Sequence, residues 1–127
     1  MLDHLRQRVI EALTPVQAAS LATCGPAGLR ARFFPCEALG LRLYLLVPGT
    51  SDHLFNLEQQ ETAVVSTPEW QVQGAGHILP LAAAPPELAL PQKAEAPGCV
   101  LVEIQPTRLQ INCPNTWGFR ETIDVDE

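Results

Sequence analysis

From Leu41 to Gln60 the chain reads LRLYLLVPGTSDHLFNLEQQ, and its hydrophobic pattern changes period part-way. Leu41, Leu43, Leu45 and Val47 alternate with Arg42, Tyr44 and Leu46, a mostly apolar period-2 run that predicts a strand. Pro48-Gly49 breaks the run, because neither residue continues a ladder comfortably. Thr50 or Ser51 then offers a hydroxyl cap to a short helix with Leu54 and Leu57 on its apolar face. A strand that turns into a capped helix leaves unpaired backbone N–H groups at the helix start, which favour a phosphate or carboxylate. Plain capping, with no ligand, is the alternative reading of the same spacing.

The other elements follow from the same periodicities. Leu2, Leu5, Val9, Ile10 and Leu13 recur at helical spacing, so residues 1–13 form an N-terminal helix, ended by Thr14-Pro15 and covering one end of a barrel. Val16 to Cys24 and Leu29 to Cys36 are strands joined by Gly25-Pro26-Ala27-Gly28 in a hairpin. Arg30 and Arg32 lie on one side of the second strand. Thr62–Thr67 and Trp70–Leu79 are further strands, separated by Pro68-Glu69. Residues 80–97 are rich in Ala and Pro, a surface excursion with at most two helical turns within Glu87–Leu90. Gly98–Gln105 and Thr107–Cys113 are two strands hinged at Pro106, and residues 114–127 are a polar tail carrying Trp117 and Phe119.

Composition narrows the functions. The chain has 127 residues, 46% of them hydrophobic, enough for one core, and it is expected to be a single domain over 1–127. The net charge of -6, with 8 basic residues and no basic run, argues against nucleic acid as a partner. No apolar run reaches membrane length, and charge through residues 1–13 argues against a signal peptide, so a cytoplasmic protein with reduced thiols is expected. Cys24, Cys36, Cys99 and Cys113 form no C-x-x-C pair, and His4, His53 and His77 are scattered, so no metal site is expected. The cysteines read as small buried hydrophobes; the basic neighbour that a reactive thiol needs is offered by Arg32 near Cys36.

Three stretches in order, ASLATCGPAGLRARFFP, the run through Thr50-Ser51-Asp52-His53 to Asn56-Leu57, and PEWQVQGAG, resemble the FMN-binding split barrels related to pyridoxamine 5'-phosphate oxidase. The resemblance covers about residues 3–112 and implies an α+β, mainly β fold: an antiparallel split barrel of six to seven strands with an N-terminal helix and a short helix after the third strand. It also implies a homodimer with FMN in the cleft between subunits. In the family the capped helix begins Ser-Arg-Lys; here Ser51 keeps the hydroxyl, while Asp52 and His53 replace the two basic residues that hold the FMN phosphate. A family lysine further along the second strand is replaced by Cys36-Glu37, and a carboxylate there would repel a phosphate.

By the resemblance, Arg30, Arg32, Thr50, Ser51 and His53 meet the phosphate, and Gln71 hydrogen-bonds the flavin. The alternative for Arg30 and Arg32 is that both are solvated on the outer face. His53 is expected to be the nearest cation and half charged near neutrality. Gly76 matches a glycine where strands cross closely. The implied function is an FMN-binding protein, a flavin-dependent oxidoreductase of unnamed substrate. The alternative is a cofactor-free barrel serving as a dimeric scaffold or binding another small ligand; nothing in the sequence selects haem or a deazaflavin.

Overall fold

The computed structural model describes residues 3–94, 98–112 and 120–124. Helix α1 (Asp3–Leu13) precedes strands β1 (Ala18–Thr23), β2 (Arg30–Leu39) and β3 (Arg42–Pro48). Helix α2 (Asp52–Gln59) follows, then β4 (Thr62–Ser66), β5 (Trp70–Pro80), β6 (Cys99–Asn112) and β7 (Arg120–Asp124). The strands pair in the order β3-β2-β1-β4-β5-β6-β7, and β3 also pairs with β6. That last pairing closes β1–β6 into a six-stranded antiparallel barrel, with β7 added along the far end of β6. The architecture is the expected mainly-β split barrel, with a short helix after the third strand. Among the described residues no helix is long and apolar enough to cross a membrane.

The core explains why the chain alternates where it does. Leu21, Phe34, Cys36, Leu43, Leu45, Val65, Val72 and Ile104 point inward, and Val9 and Leu13 of α1 join the same cluster. Strand β3 departs from simple alternation: Leu43 through Val47 are all buried. A strand buried on both faces needs cover on both. Tyr44 and Leu46 face away from the barrel interior, and Leu88, Leu90 and Leu101 pack with them in a second cluster. Residues 81–94 are therefore more than a surface excursion. They carry two 3-10 turns, Leu81–Ala83 and Leu90–Lys93, where one short helix over Glu87–Leu90 was expected. The prolines prevent an α-helix, and the segment keeps its place through two leucines instead.

Glu37 secures that segment. Its carboxylate accepts hydrogen bonds from the backbone N–H groups of Ala89 (3.0 Å) and Leu90 (2.8 Å), at the start of the second 3-10 turn. Glu37 alternates with Phe34 and Cys36, so it lies on the outer face of β2, away from the barrel interior. The repulsion of a phosphate expected from Glu37 does not arise at the barrel interior.

Pro106 does not split the last strand in two. β6 runs unbroken from Cys99 to Asn112, and the register against β5 shifts between Gln73 and Gly74, where Gln73 faces Arg108 and Gly74 faces Pro106. A bulge absorbs the residue that cannot donate to the ladder. The close approach is at Gly74, where a side chain would run into the Gln105 carbonyl oxygen. At Gly76 a methyl group would meet the end of the Leu57 side chain at 2.9 Å, a contact that a rotation can relieve. Residues 120–124, read from the sequence as tail, form β7; Cys113, Trp117 and Phe119 lie outside the described residues. The two glycines give a direct test. Gly74→Ala is expected to lower the unfolding free energy by roughly 2–3 kcal/mol and Gly76→Ala by less than about 1 kcal/mol. Equal losses in urea denaturation would contradict the close approach at Gly74.

Candidate functional site

The inner face of β2 runs Arg30, Arg32, Phe34, Cys36. The last two residues enter the core, while the arginines continue the same face past its edge, where both are exposed. Across the ladder Arg30 faces Thr23 and Arg32 faces Leu21, both buried residues of β1. The arginines thus emerge at the barrel mouth. There Pro48 ends β3 and Ser51 caps α2, its hydroxyl accepting from the His53 backbone N–H at 3.3 Å. A cavity of about 320 Å³ lies between these elements, lined by residues of β2, by Pro48, and by Thr50, Ser51, Asp52 and His53.

A buried polar network fixes the helix that forms one wall. Asn56 is fully buried. Its Oδ1 accepts from the Ala27 backbone N–H (2.9 Å), and its Nδ2 donates to the Gly28 carbonyl (2.9 Å) and to Thr23 Oγ1 (3.1 Å). These partners fix the orientation of the amide, because the Ala27 N–H only donates and the Gly28 carbonyl only accepts. Gly25 makes the approach feasible, since a side chain there would meet Asn56 Oδ1 at 2.9 Å. Thr23 Oγ1 also lies 2.9 Å from His53 Nδ1. The Thr23 hydroxyl both donates and accepts, so it pairs with either neutral tautomer of the ring.

His53 is not the half-charged surface cation that its position suggests. It is buried, with the Phe34 ring edge-on to it at 5.4 Å between centroids. Burial pushes its pKa below the usual histidine value; Arg32 and, more weakly, Arg30 push the same way, against Asp52. Neutral imidazole leaves the two arginines as the cations of the cavity. Asp52 Oδ2 lies 3.7 Å from Arg30 Nε, a solvent-exposed pair. Arg32 has no carboxylate partner among the described residues. Two guanidiniums, one carboxylate and a neutral imidazole sum to a formal charge of about +1 at neutral pH. The two guanidiniums suit a small anion, while at the helix start the His53 and Leu54 N–H groups are already taken up by Ser51.

Against known proteins, no family model matches the sequence, and no curated protein is detectably similar to it. Solved structures do match. General stress protein 26 of Bacillus anthracis aligns over 96% of this chain and 99% of its own, at 16% identity and a TM-score of 0.68. A pyridoxamine 5'-phosphate oxidase-related, FMN-binding protein of Nostoc punctiforme aligns over 98% of this chain and 95% of its own, at 11% identity and a TM-score of 0.55. A haem-binding protein of Mycobacterium smegmatis aligns over 94% of this chain but 56% of its own, at 17% identity and a TM-score of 0.64. This chain has the split-barrel fold of the pyridoxamine 5'-phosphate oxidase-like proteins.

Of the six residues singled out in the sequence, this split barrel brings five to one cavity: Arg30, Arg32, Thr50, Ser51 and His53. Gln71 stands apart, on the exposed outer face of β5, in a polar recess with Gln73, Arg108 and Gln110. Thr23 and Asn56 were missed as site residues. A signal for Asn56 was present, a polar residue beside Leu57 on the helix face that should be apolar. Cys36 is the small buried hydrophobe that was expected, and Arg32 does not activate it: burial, with Glu37 adding to it, pushes its thiol up to about 12. Cys24, expected to be buried, is exposed at the end of β1.

Two outcomes follow from the network. Asn56→Leu leaves the Ala27 N–H and the Gly28 carbonyl unpaired and is expected to cost about 3 kcal/mol in urea unfolding. A loss under about 0.5 kcal/mol would contradict the network. His53 has a lowered pKa when folded, so the unfolded chain binds protons more readily below pH 6.5. Its contribution to stability is present above that pH and is lost as pH falls. The drop in Tm between pH 7 and pH 5 should therefore be smaller in His53→Gln than in the wild type, and an unchanged drop would contradict the buried neutral imidazole.

Proposed function

We propose that the protein binds FMN, with the phosphate in the cavity between Arg30, Arg32 and the start of α2. The observation that carries this reading is the convergence of two inner-face arginines and a hydroxyl-capped helix on one cavity, in the fold of an FMN-binding neighbour. Arg32 is the principal phosphate ligand, Arg30 the second, and Thr50 and Ser51 supply hydroxyls. When bound, the flavin supplies the redox chemistry and the protein supplies position and electrostatics, as in a flavin-dependent oxidoreductase. Gln71 reaches a flavin only through a second copy of the chain, since it does not line the cavity of its own subunit.

The same reading makes the protein a cytoplasmic homodimer. Phe33 (67% exposed) lies on the outer face of β2, and Leu29 (76% exposed) just precedes that strand, with Ala18 of β1 and Cys24 just after it also exposed. Exposed apolar residues of this size mark a contact surface. A second reading, a cofactor-free barrel used as a scaffold or for another ligand such as haem, is favoured by Asp52, which stands at a position where a cation would serve a phosphate.

An absorption spectrum of the purified protein separates these readings: flavin bands in the near-UV and blue are expected, and a Soret band would contradict them. Arg32→Ala should weaken FMN by about 10- to 100-fold in a fluorescence titration, the loss of one charge-assisted contact. Unchanged affinity would move the phosphate elsewhere. Light scattering at micromolar concentration should give a dimer, and Phe33→Asp should shift it toward monomer; a monomeric wild type would contradict the interface.

A further inference from the structure

The phosphate cavity carries a carboxylate. Asp52 lines it, 3.7 Å from Arg30 and largely exposed, in the first turn of α2. A first-turn aspartate is ordinary for a helix start, but this one shares its space with the two arginines that the ligand needs. A phosphate monoester that loses both protons has only acceptor oxygens, and Asp52 then repels it. A monoester that keeps one proton carries a single charge and one P–O–H donor. The arginines pair with its anionic oxygens, the P–O–H donates to the Asp52 carboxylate, and the formal charge of about +1 is matched.

We propose that Asp52 is a specificity-determining residue that selects the singly protonated form of a phosphate monoester. The inference rests on the phosphate reading of the cavity and adds to it which ionisation state is bound. Among the described residues, the charged and titratable groups facing the phosphate are Arg30 and Arg32 from β2 and Asp52 and His53 from α2. The arginines stay charged throughout the accessible range. His53 is the competing source of pH dependence, and its burial and its bond to Thr23 keep it neutral near pH 7.

FMN is the probe. Its phosphate has a second pKa of about 6, so the singly protonated fraction falls roughly 50-fold between pH 6 and pH 8. Fluorescence titration of the wild type should show FMN binding weaken by about that factor over the interval. Asp52→Asn, an exposed change that leaves the fold intact, should flatten the dependence and bind FMN more tightly at pH 8. In the ³¹P spectrum of the complex at pH 7, the bound phosphorus should sit at the monoanion position in the wild type and at the dianion position in Asp52→Asn. A pH-independent wild-type affinity, a dianion resonance in the wild type, or a slope kept by Asp52→Asn and lost in His53→Gln would each overturn the inference while leaving the phosphate site standing. Failure of FMN to bind wild type and variant at any pH would overturn both.

Discussion

The site depends on the buried side-chain amide of Asn56. Helix α2 has eight residues, too few to persist alone in water. Leu54 and Leu57 anchor it to the core, but apolar contacts leave its rotation and slide free within limits. The three hydrogen bonds of Asn56 remove that freedom by joining the helix to the β1–β2 turn at Ala27 and Gly28 and to Thr23 on β1. The same turn leads directly into Arg30. One side chain therefore sets the distance between the helix start and the arginines, the two halves of the cavity. A buried amide with all partners met is costly to disturb, which suits a wall that must hold its place.

Charge is sorted by the two faces of β2. Arg30 and Arg32 follow the inner face to the barrel mouth, whereas Glu37 takes the outer face and is used up by the Ala89 and Leu90 N–H groups. In the sequence these residues are close neighbours of opposite sign and appear to cancel. In the fold they serve different ends: one pair lines a cavity, and the other residue holds the segment over Tyr44 and Leu46. Among the described residues Asp52 alone brings a negative charge into the cavity, and its partner there is Arg30 at 3.7 Å.

The barrel was legible because its strands alternate and its breaks fall on Pro and Gly. β1 to β5 and α2 lie within a few residues of their expected positions, and Ser51 is the cap. Three features were not legible, each for a tertiary reason. The unbroken β6 depends on a bulge opposite Gly74, which no local pattern announces. The cover over β3 depends on Leu88 and Leu90, whose surrounding prolines read as loop. The burial of His53 depends on Thr23 and Phe34, thirty and nineteen positions away in the chain. For the site, the family resemblance put Arg30, Arg32, Thr50, Ser51 and His53 together, but it gave His53 a share of the charge that the arginines carry.

The most direct measurement is a crystal structure of the protein soaked with FMN. Phosphate density is expected beside the Arg32 and Arg30 guanidiniums at the start of α2, with Asp52 next to it and the Asn56 bonds unchanged. Phosphate density at any other place on the barrel, with the cavity between β2 and α2 holding only solvent, would contradict this placement.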